Sequence, residues 1–429
     1  MNPNRGVLAC LLALPLAVVT VSRPVPQADP IVAKALAIHK RVISLDSHVD
    51  IAGANYATPA LDPGAPDTNL KCDLTKMEKG GLTGAFLAVF VAQGPLDDAS
   101  FQRAYDQAIV KFEALQRLTQ KMYPNRCAFA TSPAAVLRIA KTGKRVIMTG
   151  VENGYPIGRD LGNVKKFYDL GARYITISHS SNNQLADSST AREPLNNGLS
   201  DLGKQVVAEM NRLGMMVDVS HISEKSFWDI LAITKAPIIA SHSGCRALCD
   251  SDRNLTDEQL EALAKNGGVI QTVALASYLK AEDPARRDAI AKLRAELGLP
   301  AGGGRGGGRA DAAGVTNVQG ADYQKRMAQY RERLTEIDAR YPTATLKDFV
   351  DHIDHAVKVA GIDHVGIGTD FDGGGGIPGF NDDTDVPNVT IELVRRGYSE
   401  AQIRKIWGEN LLRVWGEVER VAAALQRAK

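Results

Sequence analysis

The stretch "SLDSHVD" (44–50) ends an apolar run with a histidine and an aspartate two residues apart. On a β-strand, residues i and i+2 face the same side, so His48 and Asp50 would project together from one strand tip. An imidazole beside a carboxylate suits a divalent metal, and it equally suits a polar strand end. The theme recurs along the chain. Glu152 follows "RVIMTGV", His179 follows "RYITIS", His221 follows "MMVDVS", His242 follows "PIIAS" and Asp370 follows "HVGIGT". Singly, each is an ordinary turn, cap or hydrogen-bonded loop residue. Seven ionisable side chains at six strand ends are not explained that way.

Histidines and carboxylates converging in such numbers suit borderline divalent ions such as zinc. One ion rarely takes five protein ligands, whereas two ions sharing a carboxylate bridge use them all. Two-metal hydrolytic sites hold ions about 3.5–4 Å apart around a bridging water or hydroxide. The bound metal lowers the pKa of that water from 15.7 to roughly 7 and so makes a nucleophile at neutral pH. No serine or cysteine here has a convincing base partner, and a G-x-S-x-G elbow is absent.

The elements that must carry these residues are eight β-prone runs: 41–50, 84–92, 145–153, 173–180, 215–221, 237–243, 267–275 and 364–372. Amphipathic segments such as "LGKQVVAEMNRLG" and "TDEQLEALAKNGG" separate them, several ending in glycine as helix C-caps do. Eight alternations predict an α/β fold, a (β/α)8 TIM-type barrel, whose sites are built at the C-terminal rim from several strands. An open doubly wound sheet is disfavoured because no glycine-rich phosphate loop follows the first run. A helical region (276–345) containing the glycine-rich insert "LPAGGGRGGGRADAAG" (299–314) separates the seventh and eighth strands. That insert reads as a flexible surface loop. His39, the His352/His355 pair and His364 fall away from the rim, and Asp372, before four glycines, reads as a local turn residue.

Lys and Arg number 51 against 49 Asp and Glu, so no nucleic-acid partner is expected. At the N-terminus, Arg5 precedes the mostly apolar stretch 6–22 and the linker "RPVPQADP", the layout of a secretory signal peptide. The stretch is short of the about 20 apolar residues that a span needs, and Pro15 weakens a helical anchor. The expected organisation is therefore signal peptide and linker over 1–28 and one metal-dependent hydrolase barrel over 29–429. The protein is expected to be exported, periplasmic or secreted, with membrane association only if the N-terminal segment is retained. Cys72, Cys127, Cys245 and Cys249 are too few and scattered for a disulfide framework or a thiolate zinc site.

"DSHVD", "GVENG", "YITISHSSNN", "VDVSH", "ASHS", "DRNLTDEQL" and "GIGTDFDG" resemble, in order and spacing, the membrane dipeptidase (renal dipeptidase) family of zinc peptidases. The resemblance runs from about His39 to Val421 and implies a role for each position. His48 and Asp50 would bind one zinc, His221 and His242 the other, and Glu152 would bridge them. His179 would face substrate and stabilise the oxyanion, Arg253 would pair with the free carboxylate of a dipeptide, and Asp370 would act as the acid/base. The implied function is an exported dipeptidase with two zinc ions and a bridging hydroxide. Its rivals are the same centre acting on another amide, lactone or phosphoester, or an inactive metal-binding peptide receptor. A homodimer is left open.

Overall fold

The computed structural model describes residues 29–299 and 321–428. The signal and linker segment, and the insert from residue 300 on, lie outside the described residues.

Nine strands form one all-parallel sheet: β1 (Leu45–Asp50), β2 (Gly84–Phe90), β3 (Cys127–Phe129), β4 (Arg145–Glu152), β5 (Ala172–Thr176), β6 (Met216–Asp218), β7 (Ile239–Ser243), β8 (Val269–Thr272) and β9 (Val365–Ile367). Their order is β1-β2-β4-β5-β6-β7-β8-β9, and β3 pairs only with β4. The last strand closes on the first through a parallel Val49–Phe371 bridge, with Asp50 N donating to Phe371 O at 2.8 Å and Asp370 N to His48 O at 2.9 Å. The eight predicted strands thus form the (β/α)8 barrel. β3 is an addition to that expectation, too short for any period to show.

Side chains alternate across the strands. Leu45, Phe86, Met148, Tyr174, Met216, Ile239 and Val269 share one apolar cluster with Trp415 of the C-terminal helix Asn410–Arg427. Ala85, Leu87, Ile147, Ile175, Val217 and Ile270 belong instead to the larger cluster built with the surrounding helices. The helix Asp201–Leu213 shows how these are set. Ser200 caps it by accepting from Gly203 N at 3.0 Å, worth about 1 kcal/mol. Val206, Val207, Met210 and Leu213 give it a buried stripe, and Gly214 ends it at φ 84°, a conformation that disfavours a Cβ. No helix of the described residues is long and apolar enough to cross a membrane.

The histidines set aside from the rim have structural partners. His39 hydrogen-bonds Thr390 Oγ1 and Gly80 O, His355 meets Asp257 at 2.7 Å, and His364 meets Gly268 O. All four described cysteines are free and buried. Asp372 is more than a local turn residue: its two oxygens accept from Lys71 N and Cys72 N, tying the last loop to the one after β1.

Candidate metal centre

The end of β4 delivers Glu152 to the middle of the rim. Its carboxylate lies 3.4 Å from His48 Nε2, 3.2 Å from His179 Nε2, 3.3 Å from His221 Nε2 and 3.8 Å from His242 Nε2. Donor atoms fall within 4.8 Å of one another in three sets: His48/Glu152/His242, Glu152/His179/His221 and His48/Asp50/Asp370. All seven predicted rim residues therefore meet in one place.

The backbone is bent to achieve this. The β1 ladder shifts register between Asp46 and Val49, and the β7 ladder between Ala240 and Ser243, in each case around a rim histidine. Bulges re-aim side chains in this way. His221 and Asp370 hold φ of 70° and 58°, and Asn153, next to Glu152, holds 76°. Such values cost non-glycine residues on the order of 1–3 kcal/mol and concentrate at functional sites. His179, His221 and Asp370 lie in the loops just beyond β5, β6 and β9 rather than on the strands themselves.

Residues behind the rim fix the imidazoles. Tyr174 OH donates to Ser47 O (3.2 Å), which leaves its oxygen to accept from His48 Nδ1 (2.9 Å). Ser241 Oγ donates to Asp218 (2.6 Å) and in turn faces His242 Nδ1 (2.8 Å). Both rings are thereby set to donate from Nδ1 and to turn Nε2 to the centre, the orientation that metal-ligating histidines use. Tyr174 can cross to His48 only because Gly150 of β4 has no side chain; a Cβ there would sit 2.3 Å from the tyrosine ring. Asp46 accepts from His48 N and Thr369 N, holding the tips of the first and last strands together.

The donor set fits divalent ions. His48 Nε2 is buried without a hydrogen-bond partner, and His221 Nε2 and His242 Nε2 face each other at 2.8 Å, a separation that needs a proton or a cation between them. Burial, and then the charges of Arg253 and His48 respectively, hold His221 and His242 well below the usual imidazole range, so both rings are neutral at pH 7 and free to act as ligands. Burial opposes a charge on Glu152, but His48 and His179 outweigh it and keep the carboxylate ionised.

One wall of the centre is different. His179, Thr190, Arg253, Leu275, Tyr278 and Asp370 line a single cavity of about 40 Å3 beside it. Arg253 is 3% exposed, its Nη2 donates to His242 O at 3.2 Å, and its guanidinium lies 5.3 Å from the Tyr278 ring centre. Among the described residues no carboxylate reaches ion-pair distance of it. Phe90 packs on His179 with ring centres 4.7 Å apart, and the buried Lys111 Nζ donates to Ile51 O at 2.8 Å.

Burial lowers the Lys111 amine to about 8. Folding therefore expels its proton between pH 8 and the ordinary lysine value of about 10.4, and stability contributed at this site rises with pH across that window by about 3 kcal/mol. With chelator present, the urea midpoint of wild type should climb from pH 8 to 10 more steeply than that of Lys111→Met. Parallel slopes would show that the amine is not desolvated.

Sequence reasoning did not single out Tyr174, Asp218, Ser241, Asp46 or Tyr278. Asp46 was within reach of it, since it precedes His48 and Asp50 at the same two-residue spacing. The others have no local signature.

The profile of the membrane dipeptidase family (peptidase family M19) matches residues 32–429. Dipeptidase tcpJ of Claviceps purpurea (strain 20.1) is 30% identical over 357 residues, which is 82% of this chain and 70% of that protein. The solved structure of the probable dipeptidase PvdM from Pseudomonas aeruginosa is 36% identical, with a TM-score of 0.76 over 91% of this chain and 99% of that one. A metallo peptidase from Rhodobacter sphaeroides, solved with a phosphinate mimic of the dipeptide L-Ala-D-Ala, shares the fold at 23% identity and a TM-score of 0.67, over 88% of this chain and 99% of that one. The chain belongs to the membrane dipeptidase family of metallopeptidases, peptidase family M19.

Proposed function

We propose that this dipeptidase holds two zinc ions, one through His48 and Asp50 and one through His221 and His242, with Glu152 shared between them. One observation carries the reading: a single ionised carboxylate within 3.2–3.8 Å of four imidazoles. Ions bound there supply the acidity that makes water a nucleophile near neutral pH and the charge that polarises a carbonyl. The chain supplies the rest. Arg253, buried and among the described residues without a carboxylate at ion-pair distance, pairs through its planar fork with the free carboxylate of the dipeptide and sets the register of the scissile bond. His179 donates to the carbonyl oxygen as negative charge develops on it. Asp370 takes the proton of the attacking water and returns it to the leaving amine. The N-terminal segment 1–28, with its charged start and apolar stretch, supports export.

The test is Arg253→Ala assayed with a dipeptide and its C-terminal amide. Loss of a charge-assisted hydrogen bond predicts about a 10–100-fold rise in KM for the free dipeptide and little change for the amide. Equal effects on both would count against carboxylate pairing. Elemental analysis, with chelation and zinc add-back, tests the two-zinc content.

A further inference from the structure

Arg253 and Tyr278 come from different elements, the loop after β7 and the short helix Ala276–Leu279, yet the guanidinium lies against the tyrosine ring, which fixes one side of it. In sequence, residues 280–345 separate Leu279 from the helix Leu346–Ala360. Two buried polar side chains join these pieces. His352, on the returning helix, receives Cys245 N–H on Nδ1 at 2.9 Å and faces Leu279 O with Nε2 at 3.0 Å. A carbonyl only accepts and an amide N–H only donates, so the ring is fixed as the neutral Nε2–H tautomer. Asn254, next to Arg253, donates from one amide nitrogen to Cys249 O and Tyr278 O, both at 2.8 Å. The two staples meet at Gly244, where a Cβ would lie 2.4 Å from Asn254 Oδ1 and 3.1 Å from His352 Nδ1. His352 is 1% exposed, and its ring bonds join the end of the Tyr278 helix to the loop that carries Arg253.

We propose that His352, with Asn254, is a positioning residue for substrate carboxylate recognition: it locks the Arg253 loop to the Tyr278 helix and touches neither substrate nor metal. The proposal rests on the reading of Arg253 as the carboxylate partner. It gives the joint between the Ala276–Leu279 and Leu346–Ala360 helices a function, since His352 ties both to the loop that carries Arg253.

The experiment compares wild type, His352→Leu, His352→Gln, Arg253→Ala and the Arg253→Ala/His352→Leu double variant. KM for a free dipeptide is read beside zinc content and the inhibition constant of acetohydroxamate, which engages the metal centre and carries no carboxylate. His352→Leu is expected to raise KM about tenfold, the loss of roughly one well-made hydrogen bond, with zinc content and acetohydroxamate inhibition unchanged. His352→Gln, which can donate again to Leu279 O, restores part of the loss. The double variant is no worse than Arg253→Ala alone, because His352 acts through Arg253. Should His352→Leu fail to fold, Asn254→Ser breaks the second staple and carries the same expectation. An unchanged KM, additive effects in the double variant, or KM and acetohydroxamate inhibition moving together would overturn the proposal. If Arg253→Ala itself left KM unchanged, the reading of Arg253 would be what fails.

Discussion

Glu152→Ala is expected to yield a folded protein that holds neither ion and has lost at least about a thousandfold in kcat/KM, some 4 kcal/mol of transition-state stabilisation. The effect should exceed that of any other single ligand because of where β4 ends. The other candidate ligands each stand on one side of the centre, whereas the Glu152 oxygens face His48 on one side and His179 and His221 on the other. Removing it leaves His48, His221 and His242 buried and His179 half-buried, with the nearest remaining carboxylates, Asp50 and Asp370, grouped around His48 alone. Any cation brought there would then be poorly compensated in a low-dielectric site. A glutamine in its place keeps the volume and one neutral oxygen donor, and is expected to hold metal weakly. Inductively coupled plasma analysis of dialysed protein settles the matter. A Glu152→Ala protein that keeps two equivalents of zinc would end the bridging assignment.

Sequence periodicity disclosed the barrel because each strand is buried on both faces and each helix on one, so the eight repeats are written in hydrophobicity. It disclosed the rim for a related reason: a charged side chain after a buried run has nowhere to go but the strand tip. Less visible was everything whose position depends on distant chain. Asp218 orients His242 only through Ser241, from a neighbouring strand. Tyr174 reads as one more core aromatic in "RYITI", and only the missing side chain of Gly150 opposite lets it reach His48. Tyr278 lies on a four-residue helix with no periodic signal, and its link to Arg253 spans 25 residues. The sequence sets the His352/His355 pair away from the rim, and in the structure both stand on the helix Leu346–Ala360. Hydropathy alone did not tell that His352 reaches two separate elements.

Asp370→Asn is the second large effect, and it separates two roles that geometry alone leaves adjacent. Asp370 falls in one donor set with His48 and Asp50, so it stands where either a ligand or a proton carrier would stand. Asparagine keeps the shape, keeps one oxygen, and tolerates the left-handed φ of 58° that this position demands. The loop hydrogen bonds from Gly373, Gly374 and Gly375 go to the Asp370 backbone carbonyl and are untouched. What asparagine cannot do is accept a proton from water and pass it to an amine. The expected result is full zinc content, KM within a few-fold of wild type, and kcat lower by about 10²–10⁴-fold, the usual range for one general acid/base. The deficit should shrink for a substrate whose leaving group is a carboxylated anilide. Such a leaving group departs with less need of protonation, while its carboxylate still engages Arg253. If instead Asp370→Asn released one ion, the residue would belong with the ligands of His48 and Asp50. An undiminished kcat would remove it from the proton path altogether.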